Sequence, residues 1–339
     1  MKKHLSLLLA ALLLLSLAGC SGGAQGTGYP KKTITMIVPY GAGGTADVTG
    51  RQLAAALEKQ LGRSIVVENM PGASGSVGAR AVLDAAPDGY TIFLTADSLG
   101  TQRVMGISDM SYADFAPIAP IGNDPKLMVV ARSSPYADVR ALLDDLAARP
   151  GKVQMSYTGP GGSGHVQALI LRRFGYEAAL TPYNSGAECI AALLGGQVAF
   201  TNANYSTAAP YIESGDLRAL AVCATEPLAA LPDVPVLSDV IPESDALLSI
   251  PYTPTSLLVD KDVPDEVRDI LRRATLEAVR DADFDQFMTD NCIDKLYEKY
   301  PTTEDTLAFY ADWESTVSWM LYDAGATVNS PAAFGIPQP

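Results

Sequence analysis

Histidine is nearly absent from this chain: His4 and His165 are the two in 339 residues. His4 lies in an N-terminal stretch that reads as an export signal, so the mature protein is expected to keep His165 alone. That excludes a metal site built on several histidines and obliges any serine triad to use this one ring. Cysteine is also sparse. Cys20, Cys189, Cys223 and Cys292 show no CxxC spacing, which removes zinc-ribbon and thioredoxin-type motifs. Cys189 falls in a helix-like run (AECIAALLGG) and Cys223 in a strand-like one (LRALAVCAT), the pattern of buried free thiols, with a disulfide pair as the alternative. Basic residues are in deficit, 24 Lys+Arg against 38 Asp+Glu for a net charge of -14. Nucleic acid is therefore not expected as a partner, and an anionic ligand would have to be attracted by local donors against the global field. No cofactor or metal is expected. Beyond the N-terminus no apolar run is long enough to cross a bilayer.

The N-terminus itself is distinctive. Lys2 and Lys3 precede an apolar stretch from Leu5 to Ala18, interrupted by Ser6 and Ser16, and Leu17-Ala18-Gly19-Cys20 follows. The stretch falls short of the roughly 20 residues of a membrane span, and its end resembles the lipobox of bacterial lipoproteins. Residues 1–19 are read as a lipoprotein signal peptide, Cys20 as the lipidation site, and residues 20–28, with the run SGGAQGTG, as a flexible tether. Removing residues 1–19 leaves 22 Lys+Arg against 38 Asp+Glu, a balance of -16. The protein is thus expected to be exported and lipid-anchored to the cell membrane, on the extracellular face or in the periplasm.

From Lys32 to about Asp97 the pattern alternates: TITMIVP, DVTGRQLAAALEKQLG, SIVVEN, SVGARAVLDAA, YTIFLT. This is βαβαβ, the signature of a helix-covered parallel sheet. Leu53, Leu57 and Leu61 form one stripe, Gly62 is placed as a C-cap, and the Asp-Gly of APDGY marks a turn. A second unit begins after LMVVARSS, with helices expected in ADVRALLDDLAARPG, HVQALILRRFG, ECIAALLGGQ and APYIESG, and strands in VQMSYT, VAFTN and LRALAVCA. After a Pro-rich section and SIPYTPTSLLVD the chain turns helical again.

Two glycine-rich turns carry the candidate chemistry. Gly41-Ala42-Gly43-Gly44-Thr45-Ala46 fits G-x-G-x-x-G/A between a strand and a helix, with Glu68 standing 22 residues beyond Ala46. That is a dinucleotide-fold pattern, but an exported protein has no access to nicotinamide cofactors. What remains is an exposed helix start with free amide donors and partial positive charge, suited to an anion, or a tight turn with no ligand. Thr158-Gly159-Pro160-Gly161-Gly162-Ser163-Gly164-His165 is a second strand-to-helix turn, in the other unit. Two such starts on two units suggest a cleft holding a small carboxylate. A hydrolase using Ser163, His165 and an acid such as Asp97 is the catalytic alternative, although neither GGSGH nor ASGSVG makes a G-x-S-x-G elbow. His165 is read as a capping or ligand-contacting residue, or as a structural one.

The ordered segments YPKKTITMIVPYGAGGTAD, LGRSIVVENMPGASGSVGA, APDGYTIFLT, YTGPGGSGH, TPYNSGAECIAALLGGQV, GDLRALAV and LPDVPVLSDV resemble the extracytoplasmic receptors of tripartite tricarboxylate transporters, the Bug-type receptors, over roughly residues 29–325. The resemblance implies an α/β, two-domain, periplasmic-binding-protein-like (type II, Venus flytrap) fold with the ligand cleft between domains. It implies domain 1 as residues 28–127 plus 250–339 and domain 2 as residues 128–249. It also implies a ligand carboxylate at Thr158, Gly162, Ser163 and Gly164, and a distal end met by Tyr40, Gly44, Thr45, Ala46, Asp47, Ala73 and Ser74. Ser98, Asn184, Asn202 and Asn204 join the candidates as polar groups at C-terminal ends of strands, against a turn or cap role for each asparagine.

The first loop, here GAG, lacks the prolines common in the family, and TNAN has no acid where many members carry aspartate. The ligand class expected is a small organic carboxylate: a di- or tricarboxylate, an acidic amino acid or an aromatic acid. The partners expected are the small and large membrane permease subunits of a secondary transporter, with no catalysis. An exported serine hydrolase and a non-binding surface module are the alternatives.

Overall fold

A computed structural model describes residues 28–250 and 253–339. The signal segment, Cys20 and all of the tether but Gly28 lie outside the described residues. In chain order the longer elements are β1 (Ile34–Val38), α1 (Thr45–Leu61), β2 (Ile65–Asn69), α2 (Ser76–Leu83), β3 (Thr91–Thr95), β4 (Phe115–Asn123), β5 (Lys126–Ala131), α3 (Val139–Ala148), β6 (Gln154–Tyr157), α4 (Ser163–Arg173), β7 (Ala179–Pro182), α5 (Gly186–Leu194), β8 (Phe200–Asn204), α6 (Tyr205–Glu213), β9 (Leu217–Val222), β10 (Pro254–Asp260), α7 (Asp265–Ala278), α8 (Ala282–Asp290), β11 (Asp294–Lys295) and α9 (Thr303–Asp323).

The strands form two sheets, ordered β11-β4-β10-β3-β1-β2 and β7-β6-β8-β5-β9. In the first, β1 pairs in parallel with β2 and β3, as the βαβαβ pattern requires. Strand β1 is apolar at Ile34, Met36, Ile37 and Val38 because helices cover both of its faces. Met36 and Val38 pack with Leu53, Leu57 and Leu271, while Ile37 joins Phe93 and Trp313 on the opposite face. Gly62 closes α1 with φ 62° and donates its amide to Glu58, the left-handed cap expected of it.

Strand β4 was not legible as a strand, since Pro117 and Pro120 interrupt it. It pairs antiparallel with β10 through two register shifts, and with β11 only at Gly122 and Asn123. The prolines are tolerated because the outer edge of β4 is unpaired beside them. The antiparallel β10, which inserts between β3 and β4, carries the chain back into the first sheet after it has completed the second. Asp124 and Pro125 are the whole connection from one sheet to the other on the outward path. Helix α9, attached to the first unit, packs against α4 of the second, so one apolar cluster runs through Trp313, Leu169 and Phe200. Among the described residues no helix is long and apolar enough to cross a membrane.

Candidate functional site

The two units face each other through the strand-to-helix turns that the sequence singled out. Four helices of nine residues or more begin at one inner cavity of about 40 Å³, which is lined by Gly44, Thr45 and Ala46 at the start of α1, Ser163 at α4, Ser185 and Gly186 at α5, and Asn204 at α6. Tyr40, Ala96, Asp97, Lys126, Thr158 and Thr253 complete its wall. Gly44, Gly162 and Asn204 cap their helices without a side-chain bond to the helix amides. Each start carries about half a unit of positive charge, so their convergence favours a bound anion.

Local sequence explains how the turns reach so close. Gly161 adopts φ 80°, and a Cβ there would lie 2.4 Å from Thr101 Oγ1 of the facing unit; Thr101 Oγ1 instead donates to the Gly161 carbonyl at 3.0 Å. Gly41 N donates to the Asn184 carbonyl at 3.1 Å, and Thr45 Oγ1 lies 3.3 Å from Thr207 Oγ1. These contacts bind the start of α1 to the second unit.

A larger chamber of about 380 Å³ shares Tyr40 and Thr158 with the inner cavity and extends outward along Ala73, Ser74, Ile107, Gly159, Tyr183, Asn184 and Glu188. Ala73 and Ser74 hold left-handed φ values of 45° and 48°. Such conformations are strained for residues with a Cβ and recur at binding sites. Ser74 Oγ is buried without a hydrogen-bond partner.

The electrostatics differ from the expectation in one respect. The amide of Ser163, the start of α4 expected to hold a ligand carboxylate, donates to the chain's own Asp97 carboxylate. Asp97 is 5 % exposed. Burial raises its pKa, and Lys126 followed by the Ser163 amide and hydroxyl opposes the rise. Lys126 is 4 % exposed; its Nζ donates to Asn204 Oδ1 at 2.9 Å and to the Asn202 carbonyl at 3.3 Å. Burial lowers its pKa, opposed by Asp97 and Asp124. Asp124, in the connection between sheets, accepts from the Ser206 hydroxyl and, at 3.4 Å, from the Ser206 amide at the start of α6. Burial pushes its pKa up to about 6, with the Ser206 bonds acting the other way.

The expected site residues divide into two groups. Tyr40, Gly44, Thr45, Ala46, Thr158, Ser163 and Asn204 line the inner cavity, and Ala73, Ser74 and Asn184 line the outer chamber. Asp47, Ser98, Gly162, Gly164, His165 and Asn202 line neither and act behind the wall. Asp47 accepts from Gly43 N at 2.8 Å and pairs with Arg51 at 2.8 Å; burial would raise its pKa, but Arg51, Gly43 and Asn69 outweigh it and hold it low. Ser98 Oγ lies 2.6 Å from the Tyr40 hydroxyl and donates to the Ser74 carbonyl at 2.9 Å. Gly162 is the N-cap of α4, and Gly164 lies against Tyr157. Asn202 donates to Gln167 at 2.8 Å.

His165 Nδ1 accepts from Gly161 N at 3.1 Å, and burial pushes its pKa down to about 4. Ser163 Oγ accepts from Thr253 at 3.3 Å, and Asp97 holds the Ser163 amide rather than the His165 ring. The Ser163-His165-Asp97 relay is therefore not assembled. Glu68 is exposed on β2 and lines neither cavity.

Sequence reasoning missed Lys126, Ser185, Gly186 and Thr253. For Lys126 there was a signal: a lysine opening the apolar run KLMVVA has no solvent to reach. Cys189 and Cys223 are buried free thiols, and Cys292 is free and half-buried.

A family profile described as "Tripartite tricarboxylate transporter family receptor" matches residues 49–316, most of the chain. The chain belongs to this receptor family. Protein BugT of Bordetella pertussis is 31% identical to the receptor over 242 residues, 70% of this chain and 74% of BugT. Among solved structures, that of the periplasmic binding protein BugD superimposes with a TM-score of 0.82 at 24% identity, over 88% of the receptor and 99% of BugD. MatC of Rhodopseudomonas palustris, solved with bound malate, superimposes with a TM-score of 0.78 at 23% identity, over 86% and 100%. The receptor thus has the α/β, two-domain, periplasmic-binding-protein-like fold, with its cavity between the two sheets. Its family and structural neighbours are substrate-binding receptors.

Proposed function

We propose that this receptor captures a small organic carboxylate in the cleft and delivers it to a secondary transporter formed by a small and a large membrane permease subunit, without chemistry on the ligand. The observation that carries the reading is the meeting of four helix starts at one cavity between the two sheets. The malate held by a structural neighbour is consistent with it. The lining residues named above are the ligand contacts, and affinity comes from charge-assisted hydrogen bonds in a space that excludes water. The expected bounds, residues 28–127 plus 250–339 and residues 128–249, are proposed with the first one moved back to the Asp124-Pro125 connection, since Lys126 opens β5 of the second sheet. Closure of these domains upon the ligand is the capture step. The receptor is exported and tethered to the outer face of the cell membrane through a lipid on Cys20.

A thermal-shift screen of the purified receptor against organic acids, amino acids and aromatic carboxylates tests the reading. A ligand at 100 times its dissociation constant adds about 2.7 kcal/mol and raises the midpoint by several degrees. Replacing Ser163 by Trp, which fills the inner cavity, removes the shift. A panel without any hit, or a hit unaffected by Ser163→Trp, refutes the site. Palmitate labelling that survives Cys20→Ser refutes the anchor.

A further inference from the structure

The inner cavity is charged in a way that a purely anionic ligand does not explain. Two ionisable side chains of opposite sign line it, Asp97 and Lys126, both more than nine-tenths buried. They influence each other's protonation, yet no ion pair joins them among the described residues. Two buried opposite charges left apart are costly unless something else satisfies them.

Each has capacity to spare. The Lys126 ammonium has three donors, of which Asn204 Oδ1 and the Asn202 carbonyl take two. The Asp97 carboxylate offers about four lone-pair sites, and the hydrogen bond it accepts in the cleft comes from the Ser163 amide. The remaining donor and the remaining acceptor belong to groups that line one small cavity.

A dicarboxylate placed there would meet Lys126 at one end and the Asp97 carboxylate at the other, a like-charge contact in a low-dielectric space. The outer chamber does not relieve this, because Glu188 is the one ionisable side chain in its lining besides the Tyr40 and Tyr183 phenols. Its other walls are neutral: Ser74, Asn184, Thr158 and the prolines.

We infer that the ligand is a zwitterion, an α-amino acid or similar nitrogen-bearing acid, whose carboxylate is taken by Lys126 and the helix starts and whose cationic nitrogen is taken by Asp97, with an uncharged side chain running into the outer chamber. Asp97 is then the residue that sets specificity between an amino acid and the carboxylic acid of the same skeleton. This deepens the reading of the cleft as a carboxylate site and rests on it.

Matched pairs that differ by the amino group alone provide the test: norvaline against valerate, alanine against propionate, and aspartate against succinate, titrated calorimetrically into the purified receptor. A neutral amino acid is expected to bind at least about 30-fold more tightly than its des-amino partner, the scale of one charge-assisted bond in a desolvated site. In Asp97→Asn, which keeps the side-chain size and an oxygen for the Ser163 amide, that preference disappears while the des-amino acid binds equally or better. In Lys126→Met both members of the pair are lost. Circular dichroism melts of each variant report whether it is folded.

Succinate or valerate binding as tightly as its amino partner overturns the inference and leaves the carboxylate-receptor reading intact. So does an Asp97→Asn variant, folded by its melt, in which both members weaken equally. Binding of no member of any pair overturns the inference, and a hit elsewhere in the wider acid panel then keeps the carboxylate-receptor reading.

Discussion

Asp124 offers the sharpest test of the electrostatic account. Its carboxylate is buried in the connection between the two sheets, held by the hydroxyl and amide of Ser206, and its pKa is pushed up to about 6 from 3.8. The folded protein therefore binds this proton more tightly than the unfolded chain. The contribution to stability is full below pH 3.8 and is lost as pH rises through about 6. The rise from 3.8 to about 6 corresponds to about 3 kcal/mol.

Other carboxylates titrate over the same range, so the informative quantity is the difference between wild type and Asp124→Asn, whose amide cannot ionise. Urea unfolding followed by tryptophan fluorescence at intervals between pH 4 and pH 7.5 measures it. Trp313 lies in the core cluster that joins the two units, so the probe reports on their common unfolding. The wild type is expected to lose about 2.4 kcal/mol relative to the variant between the ends of that range, with most of the change below pH 6.5. A difference that stays flat, or that changes in the opposite direction, would refute the assignment of a buried, proton-retaining Asp124.

Two further outcomes follow from the same geometry. Gly161→Ala forces a side chain into a left-handed backbone whose Cβ meets Thr101 Oγ1 at 2.4 Å; it is expected to cost about 1–3 kcal/mol, read as a lower melting midpoint, and to weaken ligand binding, and unchanged values for both would contradict the turn geometry. His165 has its pKa pushed down to about 4 by burial, so its stabilising contribution is present above the unfolded value of about 6.5 and is lost as pH falls through 4. Its ring proton resonances should still report neutral imidazole at pH 5.5, and a titration midpoint near 6.5 would show that the ring is not buried against Gly161.

Much of this architecture could be read along the chain because its causes are local. Alternating apolar runs and helical stripes such as Leu53 and Leu57 mark the βαβ units, and a glycine such as Gly62 stops a helix whatever surrounds it. The glycine-rich turns were visible as helix starts for the same reason, and the structure brings Thr45 and Ser163 to one cavity.

Three features depended on residues distant in the chain. Strand β4 exists despite Pro117 and Pro120 because β10, more than 130 residues further along, supplies its partner. The charge of the cavity comes from Asp97 just after β3 and Lys126 at the start of β5, which no local pattern joins and which become consequential together only once both are buried on the same wall. The start of α4, a free anion seat by its local pattern, receives Asp97 from the other unit. Backbone periodicity and turn chemistry act over a few residues and survive in the sequence; burial and charge proximity are made by the meeting of segments, so tertiary structure alone decided them.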